Sequence, residues 1–143
     1  MKIVEKPWGR ELWIAHTDRY ALKIIEFHKG SRSSLQYHIK KHEHIYVESG
    51  ALQVELEDEE GRMQTLTLHP GDVIENRPGR KHRVTALEEV RLIEVSTPEL
   101  DDVVRVEDDY QRIPGTPNGE NGGRSRSRSH RARPCRTARL AGR

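Results

Sequence analysis

The apolar residues of this chain fall in short alternating runs, and nowhere do they hold the 3.6-residue spacing of an amphipathic helix. The clearest run is 51–57, where Leu52, Val54 and Leu56 alternate with Gln53, Glu55 and Glu57. Such a stretch buries one face of a strand and wets the other. Comparable runs are predicted at 13–15, 20–28, 35–39, 45–48, 63–68, 73–74, 82–87 and 90–95. Glycine or proline turns separate them, at Ser49-Gly50, 58–61, 69–72 and 77–79. Many short strands with closely spaced turns leave an all-β sandwich or small barrel as the fold class. Lys6-Pro7-Trp8-Gly9 predicts an opening turn or arm, with Trp8 and Trp13 as packing anchors. Pro98 suits the first turn of a helix or a tight turn over 96–99, and 101–112 closes the domain.

Charge divides the chain in two. Residues 1–112 hold 17 lysines and arginines against 22 acids, whereas 113–143 hold eight arginines against Glu120 alone. We therefore expect one domain over 1–112 and a disordered Arg/Ser-rich tail over 113–143. An acidic body argues against a nucleic-acid-binding barrel. The RSRSRSHRAR run at 124–133 is the one feature suited to RNA or an acidic partner, and it is read as an inert extension. Cys135 is the only cysteine, which rules out a disulfide framework and a cysteine-based zinc site. The first residues lack an apolar core of signal-peptide length, and no run approaches about 18 apolar residues. A cytoplasmic protein without a membrane partner is expected.

The chemistry concentrates in GSRSSLQYHIKKHEHIYVESG, residues 30–50. Gln36 and His38 share a strand face, and Glu43 joins them if the polar corner 40–42 bends the chain. His82 follows a second turn, in GDVIENRPGRKH. One amide oxygen, two imidazoles and one carboxylate suit a divalent metal, with zinc favoured and Mn, Fe, Co or Ni tolerated. A rival set in the same stretch is His42, His44 and Glu48. His16, His28 and His69 sit at turns and are expected to be solvated.

The glycine spacing separates the two sets. Gly30-x5-Gln36-x-His38-x4-Glu43-x6-Gly50 resembles the first cupin motif, with Gln36 in place of the first histidine. Gly71, Gly79 and His82 resemble the second, departing at Arg77 and at Ala86. The resemblance implies a single cupin domain, a double-sheet jelly roll. Within cupins, SLQYHIKKHEH, the opening EKPWG, GRKHR and the closing DDVVRVEDDYQR are similar to type II mannose-6-phosphate isomerases. These also occur as the C-terminal domain of bifunctional enzymes with mannose-1-phosphate guanylyltransferase. The chain departs from them at Ile39 and Lys40, and at Gln111, where glycine is usual.

The resemblance implies metal ligands Gln36, His38, Glu43 and His82. It also implies a catalytic or phosphate-contacting Arg105, and a phosphorylated sugar as substrate. Lys41 is a second phosphate partner on this reading, and the proton-carrying base is left open, with His44 and Glu48 eligible only if they face inward. For Arg105 the competing reading is a salt bridge to Asp101, Asp102 or Asp108. Other expectations kept in play are a different cupin enzyme, such as another sugar isomerase or a metal-dependent dioxygenase, and a non-catalytic carbohydrate-binding or regulatory cupin. A homodimer is expected, because small jelly rolls commonly cover open edges by pairing.

Overall fold

The computed structural model describes residues 1–113. The tail expected from 113 onward therefore lies, but for its first residue, outside the described residues. Eleven strands form: β1 (Lys2–Lys6), β2 (Gly9–His16), β3 (Ala21–Phe27), β4 (Leu35–Tyr37), β5 (Glu43–Ser49), β6 (Leu52–Glu57), β7 (Met63–Leu68), β8 (Val73–Asn76), β9 (His82–Ala86), β10 (Val90–Ser96) and β11 (Val104–Glu107). One sheet runs β1-β2-β3-β10-β5-β8 and the other β11-β4-β9-β6-β7. Every pairing is antiparallel, including non-sequential ones such as β3 with β10 and β4 with β9. This is the two-sheet jelly roll expected from the strand pattern.

The expected turn at the N-terminus forms, with more strand around it than the short run expected at 13–15. Lys6-Pro7-Trp8-Gly9 is the turn of a hairpin, and β1 and β2 extend on either side of it. Residues 2–6 alternate only weakly, because β1 is a sheet edge with mostly exposed side chains. Gly9 has φ +154°, and a Cβ there would stand 1.9 Å from the Glu26 carbonyl oxygen, so the close approach of β2 to β3 requires glycine. Trp8 then stacks on Phe27 with ring centroids 4.0 Å apart. The 96–99 segment turns into the following loop without forming a helix.

The inward face of each long strand changes character along its length. In β5 it reads Glu43, Ile45, Val47; in β9, His82, Val84, Ala86; in β3, Lys23, Ile25, Phe27; in β10, Glu94, Leu92, Val90. All twelve are buried. Antiparallel pairing aligns these sequences, with Glu94 opposite Lys23 and Val90 opposite Phe27. One end of the barrel is therefore an apolar core built on Leu52, Val54, Leu92 and Val47. The other end is lined by buried charge, and burying charge is costly unless it is paired or binds a ligand.

Candidate metal centre

Glu43, His38 and His82 meet at the polar end. The Nε2 atoms of His38 and His82 each lie 3.6 Å from Glu43 Oε1. The three ligand atoms all fall within 4.8 Å of one another, and all three residues are buried. His38 Nδ1–H donates to the Asp102 carbonyl oxygen at 2.5 Å, and His82 Nδ1–H donates to that of Arg80 at 3.1 Å. These bonds set the tautomer that leaves both Nε2 lone pairs facing the centre. Nε2 of His38 is buried without a hydrogen-bond partner. Burial pushes the His82 imidazole below its ordinary range, against the pull of Glu43, so the ring is neutral near pH 7. Two imidazoles and a carboxylate, with one ring nitrogen unsatisfied, fit a borderline divalent ion.

The bend anticipated at 40–42 exists and has a definite cause. The Asp102 carboxylate accepts the backbone N–H groups of Ile39, Lys40 and Lys41 at 3.1, 2.6 and 2.9 Å. That clamp turns the chain between β4 and β5 and puts Glu43 on the same side as His38. The Gly79 N–H donates to the His38 carbonyl oxygen at 2.7 Å, tying the loop before His82 to the first motif. Gln36 stands opposite His82 between β4 and β9 and lines the same cavity. Its amide oxygen accepts from Ser34 Oγ at 2.6 Å, which leaves one lone pair for a metal.

Glu43 is held from behind. Asn76 Nδ2 donates to its Oε1 at 2.9 Å, and Lys41 Nζ stands 2.6 Å from its Oε2. Burial pushes the Glu43 carboxyl up, but His38, Lys41 and His82 together hold it well below the ordinary range, so it is ionised. Lys41 also lines the cavity. Expected at a phosphate, it is 3% exposed, and it bridges Glu43 to Glu94, whose Oε1 lies 3.3 Å away. Burial lowers its affinity for a proton, but Glu94 and Glu43 raise it further, so the ammonium persists with its charge already matched.

From Glu94 the network continues to Lys23 at 3.3 Å and on to Glu11 at 3.5 Å. Burial and the nearby charge of Glu43 hold the Glu94 carboxyl above its ordinary range, against Lys23 and Lys41. Asn76, Glu94, Lys23 and Glu11 were not foreseen. The available signal was parity: each lies in step with known inward residues of its strand. His44 and Glu48 are exposed on the outward face of β5, so the condition for either to serve as base is not met.

The centre opens into a cavity of about 210 Å³. Arg105 of β11, Lys6 and Arg112 line it as well. Arg105 Nε is buried without a hydrogen-bond partner. Burial and the neighbouring charge of Arg112 hold Arg105 below its ordinary range, with Asp108 opposing. Burial likewise lowers Lys6, offset by Glu11 and reinforced by Lys23, Arg105 and Arg112. Lys6, Arg105 and Arg112 thus stand close enough to repel one another, with Arg112 already held bidentate by Asp108 at 2.8 and 3.1 Å.

The mannose-6-phosphate isomerase C-terminal family matches residues 1–108. The chain belongs to that family. Its solved neighbours are cupins. One is KdgF from Halomonas sp., at 26% identity and a TM-score of 0.62, covering 71% of this chain and 92% of the neighbour. An oxalate decarboxylase variant from Bacillus subtilis matches at 21% identity and a TM-score of 0.61, covering 68% of this chain. The Lactobacillus farciminis oxalate decarboxylase–formate complex matches at 19% and 0.62, covering 73%. The chain spans 27% and 33% of those two decarboxylase chains, and at such identities the likeness shows the fold alone. No curated protein matches the chain.

Proposed function

We propose that this mannose-6-phosphate isomerase-family domain is a metal-dependent aldose–ketose isomerase interconverting mannose 6-phosphate and fructose 6-phosphate. One observation carries the reading: a convergent His38–Glu43–His82 set shares a cavity with the cations Arg105, Lys6 and Arg112. The first suits a divalent ion and the second suits a phosphate dianion. A bound ion, zinc on this reading, supplies Lewis-acid polarisation of a sugar oxygen. Gln36, His38, Glu43 and His82 are the residues to hold it.

The reaction moves a proton from C2 to C1 and another from O2 to O1, with no change in composition. It needs a group that accepts the C2 proton and returns it. Glu11 and Glu94 are the buried carboxylates that line the cavity outside the metal set, and Glu94 is assigned that task because Lys41 ties it directly to Glu43. Lys41 holds Glu94 and Glu43 in fixed relation. Arg105, with Lys6 and Arg112, anchors the phosphate and so sets which sugar carbons face the centre.

The deciding experiment measures metal content together with mannose 6-phosphate turnover for the wild type and His82→Ala. The expected result is loss of one metal equivalent and of turnover in the variant. A metal-loaded wild type that isomerises neither sugar phosphate would overturn the reaction. A wild type and variant with the same metal content would overturn the centre itself.

A further inference from the structure

β5 and β8 present two successive cross-strand pairs to opposite sides of the sheet. Glu43 pairs with Asn76 and faces the barrel interior, whereas His44 pairs with Glu75 and faces outward. His42, one residue before β5, also turns outward, and its Nε2 lies 2.8 Å from Glu75 Oε1. The His42 and His44 rings stand 5.4 Å apart. Ligand atoms of His42, His44 and Glu75 all lie within 4.8 Å of one another. We infer that these three residues form a second divalent-cation site, on the outer face of the barrel and separate from the centre inside.

The donor set is the one that borderline ions prefer: two imidazoles and one carboxylate. Bonds of about 2.0–2.1 Å at tetrahedral angles put ligand atoms about 3.4 Å apart. The His42–Glu75 edge is already tighter than that, because His42 Nε2–H donates there to Glu75 Oε1, and that proton must leave or shift to Nδ1 before Nε2 ligates; the His44 ring is exposed. The position of His42 is not accidental to a mobile loop. Its N–H donates to Thr97 Oγ1 at 3.1 Å, and its carbonyl accepts from the Thr97 N–H at 3.0 Å. Two of the ligands are therefore fixed before an ion arrives, which lowers the ordering cost of binding. The chemical class is zinc, nickel, cobalt or copper(II), with water or a donor from another molecule completing the shell. Glu75 is shared with Arg77, whose Nε lies 3.2 Å from the same oxygen. That exposed arginine competes with the ion and must swing into solvent when it binds.

The test titrates metal-free full-length protein with Zn²⁺ by calorimetry and with Co²⁺ by visible absorption. It compares the wild type, His42→Ala/His44→Ala, His82→Ala and Arg77→Gln. The double variant is expected to take up one equivalent fewer than the wild type, and His82→Ala to retain that equivalent. Arg77→Gln is expected to tighten it several-fold. His130 and Cys135 are present in every form, so the difference isolates the outer site. Both histidines are solvent-facing, and unchanged thermal unfolding of the metal-free double variant checks that it folds. Equal uptake by wild type and double variant would overturn the inference. Equal uptake by wild type and His82→Ala would instead sink the inner centre while leaving the outer one standing.

Discussion

Glu94 shows how much one position can carry without looking unusual in the sequence. It sits in VRLIEVS, on the parity of Val90 and Leu92, while Ile93 and Val95 make the other parity apolar too. What parity could not supply was its neighbours, since Lys23, Lys41 and Glu43 come from three other segments. If Glu94 carries the proton, Glu94→Gln keeps the metal and the fold but lowers kcat by about 10²–10⁴-fold with little change in KM. Equal turnover in the variant would exclude it. Gln111 is informative in a different way. The family's usual glycine was noted as missing there, and the backbone explains the preference: Gln111 has φ 56°, the left-handed region that glycine occupies without steric cost.

At the scale of elements, the β6–β7 hairpin was the most legible part of the chain. Its strands pair from Leu52 opposite Leu68 to Glu57 opposite Met63. The 58–61 turn between them is acidic, and one of its acids builds it. Asp58 Oδ1 accepts the N–H groups of Glu60 and Arg62, each at 2.9 Å. These bonds, that of Arg62 foremost, then Gln64, lower the Asp58 pKa from 3.8 to about 2. A carboxyl depressed on folding stabilises the folded state above its unfolded pKa, and the contribution is lost as pH falls through the folded value. Asp58→Ala should therefore lower the urea midpoint at pH 6, and the gap to wild type should close between about pH 4 and pH 2. A gap independent of pH, followed by urea unfolding monitored by circular dichroism, would show that the carboxylate charge is irrelevant. The short elements were harder to read. Strand β4 has three residues, and its place in the sheet depends on β9 and β11 rather than on its own pattern.

Across the whole molecule, register aligns outward residues that no single strand reveals as a set. Ile3, Leu12, Ile24, Ile93, Tyr46 and Val73 stand directly opposite one another across all six strands of the larger sheet. Ile3, Tyr46 and Val73 are 50%, 43% and 57% exposed. Beside this row, Arg10, Glu26, Arg91 and Glu48 neutralise one another in a chain of ion pairs. Six strands span about 24 Å, close to the width of a standard interface of about 800 Å² per partner. If the homodimer expected from the sequence forms, this row is the face that would meet its own copy under a two-fold axis. Light scattering should give twice the chain mass for wild type and the chain mass for Ile93→Lys, and a monomeric wild type would overturn the dimer. By itself the sequence determined the all-β class, most of the strands and the alternation of 52–57, and it set His38, Glu43 and His82 in two glycine-spaced motifs, because period-two alternation and glycine spacing are local properties. The tertiary structure alone decided that Lys41 is spent inside, that Glu94 reaches the cavity, and that His42 and His44 meet Glu75 outside. Each depends on which distant strands pair and in what register, and cross-strand neighbours leave no mark on the sequence of either strand.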